Sequence, residues 1–150
     1  MATTTLFLTG KAYWVKARKP DPKYGNYTMD LYPDKESMKA LKATGSKLEA
    51  VIDEIGTKYR FRRDHEKVIK DEKRVFGPPK VVKWTGEVDE KGVPQVEPFD
   101  GLIGNGSDVA VKVTFYPAGA YVGHRWEAIR VDNLVEYNPE AREHTPEYPF

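Results

Sequence analysis

At 150 residues the chain has room for one domain with its own core and not for two ordinary ones. It has no cysteine, which excludes disulfides, thiol nucleophiles and thiolate metal sites and fits a reducing cytosol. Its 24 Lys and Arg nearly cancel its 23 Asp and Glu, so any affinity for a polyanion must come from where the charges stand.

That distribution is uneven. Between Lys11 and Lys23 five cations face Asp21 alone, and Lys58, Arg60, Arg62 and Arg63 follow with no acid among them. From Glu87 to Asp108 the sign reverses, with six acids against Lys91. A basic side and an acidic side are expected. Frequent Gly, Pro and aromatic residues favour strands and turns over a helical bundle. The start MATTTLFLTG has neither a basic region nor a long apolar run, so the expectation is a soluble intracellular protein without a signal peptide.

Along the chain, Lys11 to Arg18 alternates as a strand, with Tyr13, Val15 and Ala17 towards the core and Trp14, Lys16 and Arg18 outward. A ring flanked by cations suits single-stranded nucleic acid; Trp14 covering a core edge is the equally weighted alternative. Lys19 to Asn26 reads as a loop holding Tyr24, and Tyr27 to Tyr32 as the returning strand, with Tyr27, Met29 and Leu31 inward and Thr28, Asp30 and Tyr32 outward. Asp34 caps a short helix carrying Met38 and Leu41, ended by Gly45. Leu48, Val51, Ile52 and Ile55 could serve a helix from Ser46, but Asp53 to Gly56 favours a turn between two strands. The second of these, Thr57 to Arg63, turns Lys58, Arg60 and Arg62 to one face, either as a solvated face or as a phosphate track.

Asp64 to Arg74 reads as a solvated loop or frayed helix, Val81 to Trp84 as a short strand, and the acidic segment up to Pro98 as an exposed excursion. After the Gly104-Asn105-Gly106 turn, Val109, Val111, Val113 and Phe115 alternate with Ala110, Lys112, Thr114 and Tyr116. A second run, Trp126 to Tyr137, completes a hairpin; Leu134 is out of phase with Ile129, which predicts a bulge near Asp132 and Asn133. Residues 138–150 have no hydrophobic period and read as a flexible tail.

His65, His124 and His144 are scattered, with no second ligand at strand or helix spacing, and there is neither a phosphate-cradling glycine loop nor a nucleophile elbow. No metal, no cofactor and no catalytic residue is expected. Asp53, Glu54, Asp71 and Glu72 with Lys73 are the set a small magnesium nuclease would need.

Three blocks, GKAYWVKARKPDPKYGNYTMDLYPD, KYRFRR, and DGLIGNGSDVAVKVTFYP with WEAIRVDNLVEY, closely resemble bacteriophage single-stranded DNA-binding proteins of the OB-fold type over most of the chain. The resemblance implies an all-β, five-stranded Greek-key barrel with one short helix between strands, over residues 1–137. It implies sequence-independent coating of single-stranded DNA in phage replication, recombination and repair, in the cytoplasm of the infected host. Carried over, the DNA surface comprises Trp14, Lys16, Arg18, Tyr24, Tyr32, Lys58, Arg60 and Arg62, with Lys112 and Tyr116 beside them. Such proteins end in an acidic tail closed by an aromatic residue, which makes Phe150 the candidate contact for polymerase and helicase. Here Glu140, Glu143 and Glu147 are widely spaced and partly offset by Arg142, and Trp84 to Phe99 matches nothing in the family pattern. An edge strand would let two copies pair as a homodimer. Two other readings stand beside this one: an OB-fold protein-interaction module, and the magnesium nuclease.

Overall fold

The computed structural model describes residues 3–46 and 48–135. The tail, Phe150, His144 and the strand end expected at Tyr137 lie outside the described residues.

The fold is all-β with one short helix. In chain order the elements are β1 (Thr4–Lys16), β2 (Asn26–Pro33), α1 (Lys35–Ala43), β3 (Val51–Ile52), β4 (Thr57–Asp64), β5 (Glu66–Ile69), β6 (Glu72–Val75), β7 (Lys80–Val88), β8 (Pro94–Pro98), β9 (Ser107–Ala118) and β10 (Tyr121–Asn133). β9 is the spine. Its alternation buries Val109, Val111, Val113 and Phe115 against Leu8 of β1, Met29 and Leu31 of β2, Phe61 of β4, and Trp126 and Ile129 of β10. Burying such side chains stabilises by roughly 1.5–3 kcal/mol each, which makes this face the main support of the fold. α1 begins where the Asp34 carboxylate accepts the Ser37 N–H at 2.8 Å, and its buried Leu41 packs on the core.

Eight strands form one sheet in the order β3-β4-β2-β1-β9-β10-β7-β8, antiparallel except where β7 runs parallel to β10; β5 and β6 pair separately. The ladder is therefore not the expected five-stranded closed barrel, because it has open edges at β3 and β8. β4 and β10 do approach one another, but side chains join them. The Arg62 N–H donates to Nε2 of His124 at 3.2 Å, and the Arg63 guanidinium reaches the Trp126 carbonyl at 3.4 Å.

Other expectations are corrected by local geometry. Asp64 to Arg74 is neither loop nor helix: Glu66 to Val75 is a hairpin turning at Lys70 and Asp71, both with positive φ. The segment after Trp84 is exposed, as expected, and is paired as a hairpin, β7–β8, with Trp84 opposite Val96. β10 begins at Tyr121, five residues earlier than expected; its register shifts between Val131 and Asn133, where the bulge was anticipated, and again at Glu127. Tyr13 does not enter the core. Trp14, at φ 51°, is an extra residue in β1, so Ala12 takes the inward place and Tyr13 turns outward beside Lys16, while Val15 and Ala17 face inward as expected. No helix among the described residues is long and apolar enough to cross a membrane.

Candidate nucleic-acid interface

The outward face of β1, β2 and β4 carries the site, and strand register sets its layout. Lys16 stands opposite Thr28, and Thr28 opposite Arg62; Tyr13 stands opposite Asp30, and Asp30 opposite Arg60. Lys11 is opposite Tyr32, and Lys58 follows on β4. Residues aligned across a ladder share a face, so five cations, two tyrosines and one carboxylate come together here. The Trp14 bulge makes this possible: without the extra residue, Tyr13 and Lys16 would stand on opposite sides.

Asp30 organises the cations. It is 1% exposed although it lies on the outward face, because the β4 side chains close over it. Arg60 forks onto it, Nε to Oδ1 at 2.8 Å and Nη2 to Oδ2 at 3.3 Å, and Lys58 Nζ adds a third contact at 3.2 Å. A buried carboxylate this well bonded costs little and fixes both cations in place. It also holds the Arg60 guanidinium above its usual range, so the group stays charged. Lys58 Nζ also lies 3.9 Å from Asp53, so two carboxylates offset these two cations; Lys16 and Arg62 keep the face positive, and the Arg60 side chain is still 66% exposed.

Tyr32 forms the lower edge. Its ring meets Tyr13 edge-on at 5.0 Å, and its hydroxyl donates to Asp53 at 2.5 Å. Burial and that carboxylate push the phenol up to about 12, while the same bond lowers the Asp53 carboxyl. Lys11 is bonded to Asp108 at 2.8 Å.

Beside this face a groove of about 1390 Å³ opens between β4 and the β9–β10 turn. Its walls include Arg60, Arg62, Tyr24, Tyr116, Tyr121 and Lys67. Tyr24 sits exposed on the β1–β2 loop with Lys23 Nζ 5.2 Å from its ring centre. Tyr116 lies across the backbone of Gly123, its register partner; a Cβ there would come within 2.7 Å of the ring, so only glycine lets the ring lie flat. The groove floor is the β4–β10 seam. His124 packs against Phe61 and Phe115, and burial, assisted by the Arg62 charge, pulls its imidazole down to about 4, so it is neutral and accepts from Arg62.

Arg63 has a different role from Arg62. Its guanidinium donates to the Gly77 and Phe76 carbonyls at 2.9 and 2.8 Å and to Glu127 at 2.9 Å, and lies 5.9 Å from the Phe76 ring. Arg125 also holds Glu127, at 2.6 Å. Burial works to raise that carboxyl, and the two guanidiniums outweigh it and lower it.

Of the sequence-predicted residues, Lys16, Tyr32, Lys58, Arg60 and Arg62 share the three-strand face, and Tyr24 and Tyr116 line the adjoining groove. Trp14, 46% exposed, belongs to the bulge, where its N–H donates to the Asn105 side chain at 2.9 Å. Arg18 is exposed and donates to the Gly101 carbonyl. Lys112 stands apart, opposite Phe7 on β1 and Ala128 on β10. The sequence pattern missed Tyr13 because of the bulge, Lys67 because its strand was not foreseen, and Tyr121 because β10 begins earlier than expected.

Among the described residues no group of three or more His, Asp and Glu could hold a metal ion. Asp53 caps the β3–β4 turn, Asp71 sits in the β5–β6 turn, and Lys73 is paired with Glu66. No protein-family model, curated protein or solved structure matches the chain.

Proposed function

We propose that the chain binds single-stranded DNA without sequence preference, as an OB-type protein resembling those of bacteriophages, acting in the host cytoplasm beside replication proteins. One observation carries the reading: a cationic face with tyrosines runs into a groove flanked by Tyr24, Tyr116 and Tyr121. Rings stack on any base, for roughly 1–3 kcal/mol each, and Lys and Arg neutralise phosphates and release counterions. Neither interaction reads sequence.

Strand order supports the OB reading. β4-β2-β1-β9-β10, with β10 returning to β4 through His124 and Arg63, is the order of a five-stranded Greek-key barrel with a helix between its second and third strands. Barrels of this kind bind oligonucleotides on strands two and three and on the loops after strands one and four. Here those are β2 and β4, the loop with Tyr24, and the turn between Tyr116 and Tyr121. β7 and β8 are then an addition to the barrel.

Titrating intrinsic tryptophan fluorescence with a thymidine oligonucleotide, at low and high salt and beside a matched duplex, tests the proposal. Salt-sensitive quenching by the single strand, and little with the duplex, is expected. Binding that ignores salt would favour a protein-interaction module, and degradation of the oligonucleotide on adding magnesium would favour a nuclease.

A further inference from the structure

The β5–β6 hairpin stands apart from the large sheet, yet its base fixes its direction. The N–H groups of Phe76 and Gly77 donate to the His65 carbonyl at 2.8 and 3.1 Å, and the His65 N–H donates to the Gly25 carbonyl at 3.0 Å. The His65 ring meets the Tyr27 hydroxyl at 2.7 Å. The arm beyond this base buries little, and Val68 and Val75 are exposed.

Alternation divides its side chains. Glu66, Val68, Lys73 and Val75 take one face, where Lys73 Nζ meets Glu66 at 2.9 Å. Lys67 and Arg74 take the other and are direct register partners. Like charges opposite one another destabilise a two-stranded ribbon, and neither cation has an ion pair among the described residues. Glu72 is on their face but two residues nearer the tip. Lys67 also lines the groove, as Arg62 of β4 does.

We propose that Lys67 and Arg74 clasp a phosphodiester of the single strand where it leaves the groove, an inference that rests on the nucleic-acid reading above. An anion between them turns an unfavourable juxtaposition into a shared charge-assisted contact, and the fixed base removes much of the ordering cost. The cations of β4 lead to this point, so the phosphate chain that follows them meets the hairpin next.

The test compares wild type, a Lys67→Ala/Arg74→Ala double variant and a Lys73→Ala control, each titrated with a thymidine oligonucleotide by fluorescence anisotropy across a salt series. Losing one phosphate contact should weaken the double variant about fivefold at ~0.1 M salt and lower the salt slope by about 0.7. Its melting temperature should not fall, and the control should bind as wild type does. If alanine lowers the melting temperature, a Lys67→Gln/Arg74→Gln pair, which keeps the side-chain length, is read in its place. A double variant with wild-type affinity and slope overturns the clasp and leaves the groove intact as a site. A wild type that binds no single strand overturns both.

Discussion

The main-chain N–H of Arg62 donates to the imidazole of His124 across 3.2 Å, and this bond joins the two strands that the sheet ladder leaves apart. It needs a neutral imidazole. Both the groove floor and the direction of Arg62 depend on it.

Stability should therefore fall on mild acidification. The folded imidazole titrates near 4, below its ordinary value of 6.5, so the unfolded chain takes up the proton first. The contribution is complete above about pH 6.5 and is lost as pH falls towards 4, on the order of 3 kcal/mol in all. Urea unfolding at intervals from pH 7 to 4.5 measures it. His124→Gln should flatten that slope; an unchanged slope would mean the seam does not titrate.

Neighbouring arginines should separate binding from stability. Arg62→Ala should leave unfolding free energy within about 0.5 kcal/mol while weakening single-strand binding, since its side chain is exposed. Arg63→Ala removes donors to three carbonyls and to Glu127 and should cost roughly 2–4 kcal/mol of stability. Denaturant curves and DNA titrations on the same two variants decide the matter.

Gly123→Ala should weaken binding by about 1–2 kcal/mol, because the added methyl lifts the Tyr116 ring off the backbone. Tyr116→Ala should give a similar loss, and combining the two should add little. Additive losses would show that the ring and the glycine act separately.

Asp30→Asn should lower unfolding free energy by about 1–3 kcal/mol, since a buried acceptor of Arg60 and Lys58 loses its charge. Differential scanning calorimetry at neutral pH measures the change.

What the sequence revealed and concealed follows from the range of the forces involved. The β9 alternation, the Asp34 cap and the late β10 bulge are local patterns, and each was legible. Tyr13 was not, because one extra residue at Trp14 reverses the parity of everything before it. The β5–β6 hairpin was hidden because Lys70 and Asp71 take positive φ without a glycine, and because its base is held, through His65, by the distant Gly25 and Tyr27. Composition distinguishes neither Arg62 from Arg63 nor Lys112 from the cations of β4; strand register does.

Amide chemical-shift mapping during titration with a thymidine oligonucleotide is the most direct test of whether the β1–β2–β4 face and its groove bind the single strand. Shifts concentrated at Lys16, Thr28, Arg60, Arg62 and Tyr116, fading as salt is raised, are the expected result. Shifts confined to the β7–β8 hairpin, or none at saturating oligonucleotide, would contradict it.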